Sequence, residues 1–242
     1  MSDTFTVCSF KDAHQAWLDI IKNNDHPYPL GNGTGTSAFP PSPTIQLDGE
    51  LAQIREINTA DRQVTAGCTI NIAKLNAELT RLGLSFPAEV FNPAKVTLGG
   101  WLGAGMPGSG GGILSARRLL AATMLTPQGR LIHSGAATPK DVAGYDFHRP
   151  LVGAFGSLGM FLEVTLQVDS QPANIQFLHL VPKNPQLMFT KLDRCKTVER
   201  LWVNSNPGDD MEIMVEQRGD ATDIGDEWAL LESESKECNK QT

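Results

Sequence analysis

The sequence predicts an α+β fold in two parts, and three observations carry that expectation. Short stretches of alternating apolar and polar residues are interspersed with stretches of helical period, so strands and helices are mixed along the chain. Glycine is concentrated: eight of the 23 fall within residues 99–112, where Trp101, Leu102 and Met106 interrupt the run as they would not in a solvated linker. After Gln171 and Pro172 the character of the chain changes, and the acidic residues gather toward its end.

Residues 12–24 read as an amphipathic helix, with Ala13, Ala16, Trp17, Ile20 and Ile21 on one side and Asp12, Asp19 and Lys22 on the other. A proline-punctuated turn, His26 to Leu30, leads into the loop 31–36. Short strands come next over 44–47, 54–57 and 63–68, the last alternating Val64, Ala66 and Cys68 with polar or small neighbours. Thr69 or Asn71 can cap a helix that runs to Leu82, and Gly83 is its natural stop. Residues 119–126 and 130–133 flank Pro127-Gln128-Gly129 as strand, turn and strand, and 139–155 reads as loop with a short helix. Residues 160–168 form the clearest half-buried strand, with Leu162, Val164, Leu166 and Val168 alternating with Glu163, Thr165 and Gln167. Beyond the boundary near 172, a strand over 175–181 precedes Asn184-Pro185, a cap and first-turn pair for a helix reaching Cys195. Two strands, 201–203 and 211–215, come after it, and the remainder reads as weakly helical and acidic.

With 242 residues, 40% hydrophobic and 19% charged, the chain belongs among globular proteins and not among disordered ones. No run of about 18 apolar residues offers a membrane span. Asp3 stands where a signal peptide would carry positive charge, which leads us to expect a cytoplasmic location. Net charge is −7, yet residues 209–242 hold 11 acidic and 3 basic residues, leaving the first 208 at +1. Neither part has the basic stripe that nucleic-acid binding needs. The acidic tail reads as a solvated, partly frayed terminus. Cys8, Cys68, Cys195 and Cys238 lie far apart with no CxxC, which excludes a sequence-local zinc finger or a ferredoxin-like cluster run. Cys68 reads as a small core residue.

Three glycine segments carry the chemistry. Residues 31–36, Gly-Asn-Gly-Thr-Gly-Thr, expose consecutive backbone N–H groups suited to phosphate oxygens, with Thr34 and Thr36 adding hydroxyls. The run lacks the Lys-Ser/Thr of a P-loop and the strand-to-helix setting of a Rossmann turn. Thr97-Leu98-Gly99-Gly100 with Trp101 to Gly105 is the second segment, and Gly153 to Gly159, leading into the strand from Met160, is the third. A plain tight turn accounts for any one of them alone. Three at strand edges suggest a long ligand, such as a dinucleotide, threaded between backbone segments.

Their order and spacing resemble the vanillyl-alcohol-oxidase/para-cresol-methylhydroxylase superfamily of flavoproteins, and more narrowly the family of glycolate oxidase E subunits. The stretches that match are 31–36, the VTAG of 64–67, the helix 72–82 with the GLSFP after it, the TLGG of 97–100, KDVAGYD at 140–146 and RPLVGAFGSLGMFLEVTLQV from Arg149 to Val168. Together they cover about residues 1–170. The resemblance implies a PCMH-type FAD-binding domain of two α/β subdomains over 1–172, followed by a short, truncated cap-like α+β segment over 173–242 with its acidic tail. It implies that Gly31, Asn32, Gly33, Thr34, Gly35 and Thr36 hold the pyrophosphate. Thr97, Leu98, Gly99 and Gly100 would lie along the ribityl and pyrophosphate region, and Gly156, Ser157, Gly159 and Met160 near the adenosine half. Three departures stand out: only Pro87 of a usual proline pair is kept, Arg117-Arg118 replaces a frequent Arg-Asp, and 106–118 is short and glycine-rich.

The same resemblance implies an FAD-dependent oxidoreductase subunit acting on a small 2-hydroxy acid such as glycolate. Its implied partners are a second FAD-containing catalytic subunit and an iron–sulfur subunit, which would place it at the inner face of the membrane. The alternative is an accessory or electron-relay subunit that keeps the FAD-binding fold. The loop 31–39 has no His or Cys, so the FAD is expected to be non-covalent, and no metal site is expected. No catalytic residue can be named. His133 and His148 read as exposed, titrating residues, and Asp146, near Lys140 and Tyr145, as a cap for a short helix.

Overall fold

The computed structural model describes residues 4–32, 43–88, 90, 92–105, 117–136, 146–171, 174–196, 198–204, 210–219 and 221–241. The chain divides into two compact units, Met1–Ser170 and Gln171–Thr242.

In the first unit, strand β1 (Thr4–Val7) is followed by helix α1 (Phe10–Lys22), strand β2 (Tyr28–Leu30) and strand β3 (Thr44–Leu47). These strands make a parallel sheet in the order β1-β3-β2. Helix α1 starts two residues before the expected position because Ser9 caps it, its hydroxyl accepting the Asp12 N–H at 3.1 Å. The buried side of α1, Ala13, Trp17 and Ile20, packs with Val7, Ile45 and Leu51 in one core. Each large apolar side chain taken from water in this way contributes roughly 1.5–3 kcal/mol.

A larger sheet, ordered β4-β5-β9-β7-β8, contains β4 (Ile54–Asn58), β5 (Gln63–Gly67), β7 (Leu119–Leu125), β8 (Leu131–Gly135) and β9 (Met160–Gln167), all pairing antiparallel. Helices α2 (Ile72–Arg81) and α3 (Leu98–Gly103) contribute Ile72, Leu75, Leu79, Leu98, Trp101 and Leu102 to its core. Asn71 caps α2 by accepting the Lys74 N–H at 2.8 Å, and Gly83 comes after it with φ +71°. A short pair, β6 (Leu84–Ser85) with β10 (Asp169–Ser170), closes the unit.

The two cores meet along β9. The pairing of β7 with β9 slips at Thr123–Met124, so that Thr123 faces Glu163 but Met124 faces Phe161, and Leu162 is the extra residue. A bulge of this kind turns the strand. Val164 and Leu166 pack with α2 and α3, whereas Met160 and Leu162 pack with Trp17 in the other core. Two α/β subdomains thus share one strand.

The second unit is an antiparallel sheet ordered β12-β13-β11-β14, built from β11 (Asn174–Pro182), β12 (Val198–Asn204), β13 (Glu212–Gly219) and β14 (Ser235–Gln241). Helices α4 (Pro185–Leu192) and α5 (Ala221–Glu232) pack on it through Met188, Leu192 and Leu231 against Leu178, Leu180, Ile213 and Val215. The Asn184–Pro185 start is as expected, Asn184 accepting the Leu187 N–H at 3.2 Å.

Three expectations are corrected. The tail is not a frayed terminus: β14 pairs with β11 from Phe177 to Pro182. Its sequence, SKECNKQ, has no apolar alternation because an edge strand is held by main-chain pairing. Residues 98–103 are a helix and not a loop, since Thr97 caps them and Leu98, Trp101 and Leu102 are buried on one side. The first three strands include β1 and β2, which were not expected; β2 contains Pro29 and is too short to show a period. No helix among the described residues is long and apolar enough to cross a membrane.

Candidate cofactor-binding site

Three segments that lie far apart in the sequence touch in the first unit, and glycine stands at each contact. Gly31, just after β2, lies against Thr97: a β-carbon there would stand 2.5 Å from Thr97 Oγ1. The neighbouring Asn32 donates its side-chain amide to the Lys95 carbonyl at 3.1 Å. Gly156 backs onto the same strand end, where a β-carbon would stand 2.5 Å from Pro29 Cγ. At Gly105 a β-carbon would stand 2.9 Å from Gly153 Cα. Main-chain bonds fasten this last junction, Gly153 N–H donating to the Leu102 carbonyl at 3.0 Å and Phe155 N–H to the Gly103 carbonyl at 2.8 Å. The Gly105–Gly153 approach is backbone to backbone and leaves no room for a side chain, while at Gly31 and Gly156 a β-carbon would have to displace the Thr97 hydroxyl or the Pro29 ring.

Helix α3 and its cap Thr97 touch both other segments. The Thr97 hydroxyl accepts the Gly100 N–H at 3.1 Å, Leu98 N–H donates to Ile70 at 2.9 Å and Gly99 N–H to Cys68 at 2.8 Å. The donors of its first turn are therefore used inside the protein, and what α3 offers a ligand is surface. Leu98, Trp101 and Leu102 fill the core, while Gly100 is exposed and, among the described residues, nothing lies within 4 Å of where a Gly103 β-carbon would be. Residues three apart share a helix face. Among the described residues, Gly100 and Gly103 leave this face with no side chain larger than the Thr97 hydroxyl and the Ala104 methyl, so a flat ring or an extended dinucleotide chain can lie on it, and the residues present fit FAD.

The 153–159 turn carries positive φ at Gly153 (+78°), Phe155 (+50°), Gly156 (+79°) and Gly159 (+136°). A β-carbon on Gly159 would strike the Leu125 carbonyl oxygen. The Ser157 hydroxyl donates to the Ala154 carbonyl at 2.7 Å. Met160 is buried in the core with Leu125, so like Leu98 it can meet a ligand only through its main chain. Of the expected site residues, Gly31 and Asn32, Thr97 to Gly100, and Gly156, Ser157, Gly159 and Met160 thus sit in segments that meet. Gly33, Thr34, Gly35 and Thr36 lie outside the described residues, as do Lys140 and Tyr145. Pro29 and Lys95 touch these segments from outside the glycine runs singled out in the sequence, whereas Gly103, Gly105, Gly153 and Phe155 lie inside those runs without having been given a role there. The glycines were visible as glycines, but nothing in the sequence marks Phe155 as left-handed.

His148 corrects an expectation. It is fully buried. Its Nδ1 meets Ser134 Oγ at 2.9 Å and its Nε2 the Leu119 carbonyl oxygen at 3.3 Å, while Ser134 Oγ also accepts the Phe147 N–H at 3.1 Å. A carbonyl can only accept, which puts the proton on Nε2 and makes Nδ1 the acceptor of the Ser134 hydroxyl. Burial pulls the His148 pKa down, opposed by the negative charge of Asp146. The imidazole is a strut between β7, β8 and the approach to the 153–159 turn. Asp146 does not cap the short helical turn Arg149–Leu151; His148 occupies the cap position without a side-chain bond, and Asp146 pairs with Arg149 at 3.2 Å. His133 is exposed, as expected, with Nδ1 3.1 Å from Thr123 Oγ1. Arg118 pairs with Asp169 at 2.7 Å. Cys68 is buried beneath α3, and burial raises its thiol well above the usual range. Among the described residues no three His, Cys, Asp or Glu side chains gather as a metal site.

The sequence pattern of the FAD binding domain family matches residues 6–135, more than half of the chain. D-2-hydroxyglutarate dehydrogenase of Stutzerimonas stutzeri (strain A1501) is 27% identical over 165 residues, covering 63% of this chain and 34% of that protein. Glycolate oxidase subunit GlcE of Escherichia coli (strain K12) is 29% identical over 112 residues, covering 45% of this chain and 32% of that protein. The chain therefore spans about a third of the length of these curated relatives. Among solved structures, an alkyldihydroxyacetonephosphate synthase superposes with a TM-score of 0.74 at 14% identity, covering 95% of this chain and 49% of that one, a likeness of fold.

Proposed function

The chain belongs to the FAD binding domain family, and on that premise we propose that it holds FAD within an oxidoreductase acting on a small 2-hydroxy acid of the glycolate kind. The observation that carries this reading is the meeting of three glycine segments around the bare face of α3. Residues 1–172 are the FAD-binding PCMH-type domain, and residues 173–242 a short cap-like segment. Gly31 to Thr36 hold the pyrophosphate through backbone N–H groups. Thr97 to Gly100 support the ribityl region by contact, since their N–H groups are engaged, and Gly156, Ser157, Gly159 and Met160 line the adenosine half by main chain.

Bound FAD would supply a redox-active ring that takes up electrons and passes them on. The chain's own residues bind, orient and exclude water. Attachment is non-covalent: Cys68, the cysteine nearest α3, is a buried thiol held far above the pKa at which thiolates react. Two relatives named for 2-hydroxy acids support the substrate class, and the word subunit in one of those names supports action within an assembly. The partners of this reading are a second FAD-containing subunit, which does the chemistry, and an iron–sulfur subunit, with the assembly peripheral to the inner face of the membrane.

The visible spectrum of the purified chain, before and after addition of FAD and then glycolate, tests this. Yellow colour that leaves with the supernatant on acid precipitation, with glycolate oxidation by the complex and none by the lone chain, is the expected result. A chain that binds no FAD contradicts the reading at its root.

A further inference from the structure

We propose that His148 is a positioning residue for the 153–159 turn, and that FAD binds the form of the chain whose His148 imidazole is neutral, so that FAD and a proton on this ring compete. The proposal rests on the FAD reading above and adds to it a residue that does not touch the ligand.

A continuous run of main-chain bonds ties His148 to the turn. The His148 carbonyl accepts the Leu151 N–H at 3.2 Å, the Leu151 carbonyl accepts the Ala154 N–H at 3.2 Å, and the Ala154 carbonyl accepts the Ser157 N–H at 3.0 Å. The Leu151 side chain also backs Gly159, its Cδ2 3.5 Å from where a β-carbon there would stand. The ring holds the other end of this run. His148 is fully buried, with Cε1 2.9 Å from where a Gly135 β-carbon would be. One ring nitrogen is bonded to β7 through the Leu119 carbonyl and the other to β8 through the Ser134 hydroxyl.

This arrangement suits a neutral ring and not a charged one. With a proton on both nitrogens, Nδ1 can no longer accept from Ser134, and Ser134 Oγ, which already accepts the Phe147 N–H, meets a second donor. A buried cation also needs a counter-charge. Among the described residues, the charged or titratable groups around the ring are Asp146 and Arg149 on its own segment, His133 on β8 and Arg118 on β7. Asp146 stands 4.0 Å from Nε2 but is shared with Arg149 at 3.2 Å, and Arg118 is paired with Asp169. Burial lowers the His148 pKa most, Asp146 and the Leu119 carbonyl raise it, and Arg149 and His133 lower it further, with a net downward shift. Protonation therefore releases the strut, and the run from His148 to Ser157 loses its anchor. FAD needs the 153–159 turn in place, so its apparent affinity is scaled by the fraction of chains in which the ring is neutral. By reciprocity, bound FAD keeps the proton off the ring.

Equilibrium titration of flavin fluorescence in steps from about pH 7.5 to about pH 5, the range in which histidine changes charge, tests this, with circular dichroism marking where the chain stays folded. The FAD dissociation constant of the wild type should be flat at the alkaline end and rise about tenfold for each pH unit below the folded pKa of His148, the signature of one proton. His148→Gln can donate to Leu119 and accept from Ser134 but cannot take a charge, so its profile should be flat. Ser134→Ala removes the hydroxyl that stabilises the neutral ring, so its rise should begin at higher pH. Either variant alone is decisive, because a ring that merely fills space would leave the profile where it is. A flat wild-type profile over the folded range, a rise that persists unchanged in His148→Gln, or a Ser134→Ala profile that superimposes on the wild type overturns the proposal and leaves the FAD reading intact. A wild-type chain without FAD affinity at any pH overturns both.

Discussion

The two units pack by different means. In Gln171–Thr242 a four-stranded sheet is covered by α4 and α5, and its core is a set of ordinary apolar side chains, Leu178, Leu180, Met188, Ile213, Val215 and Leu231. Its helical glycine, Gly225, has nothing among the described residues within 4 Å of where a β-carbon would go. In Met1–Ser170 a β-carbon would collide at six glycines, with main chain at Gly67, Gly105, Gly135 and Gly159 and with the side chains of Thr97 and Pro29 at Gly31 and Gly156. Side-chain packing needs only volume and pattern to be right. Backbone-to-backbone junctions need a particular residue at a particular place. The first unit carries that constraint at six glycines, and the helical glycine of the second unit meets no described atom.

The contrast can be broken at its strongest point. Gly159→Ala adds a β-carbon against the Leu125 carbonyl at a φ of +136° and should cost about 3 kcal/mol or more, lowering the melting temperature by on the order of 10 °C. Unchanged melting would mean that the junctions are slack. Gly100→Glu acts on function instead. Gly100 is exposed, and its β-carbon would meet only the Thr97 hydroxyl at 2.9 Å, so the fold loses at most the worth of a helix cap, about 1 kcal/mol. A carboxylate on the bare face of α3 should still reduce FAD affinity by a factor of about 100, since sterics and charge both oppose a phosphate-bearing ligand. Normal flavin occupancy in a folded Gly100→Glu chain would remove α3 from the site.

The same distinction decides how much of the molecule is legible in its sequence. Wherever side chains repeat with a period, the elements were legible: α2 with its Asn71 cap, β9 with Leu162, Val164 and Leu166, and α4 behind Asn184-Pro185 all stand where the pattern puts them. The superfamily resemblance and the α+β fold were legible too, because close backbone approaches leave glycines in order along the chain. What main-chain pairing holds was not legible. β14 has no apolar alternation, and β2 is three residues long. Glycine-rich 98–103 hid a helix whose buried side is only Leu98, Trp101 and Leu102. His148 looked exposed because its partners, Ser134 and Leu119, are 14 and 29 residues away.

His148 gives a finer probe of the first unit. Its folded pKa is lowered by burial, so the unfolded chain binds the proton more readily. Stability from this group is complete above the ordinary histidine pKa and is lost as pH falls from there toward the depressed folded value. Thermal melts at stepped pH should show the first unit weakening on acidification through this window, and His148→Gln should flatten that dependence. An equal slope in the variant would assign the acid sensitivity elsewhere. The smallest effect belongs to the second unit: Gly225→Ala, in α5 with open space around it, should stabilise by about 0.5–1 kcal/mol. A destabilised Gly225→Ala chain would show that the second unit, too, depends on a glycine junction.

Hydrogen–deuterium exchange of the purified chain with and without saturating FAD tests the central claim most directly. The account predicts that amides in peptides covering 28–32, 95–105 and 146–159 slow together when FAD is added, because one ligand bridges all three segments. FAD that binds while none of these three peptides slows would contradict it.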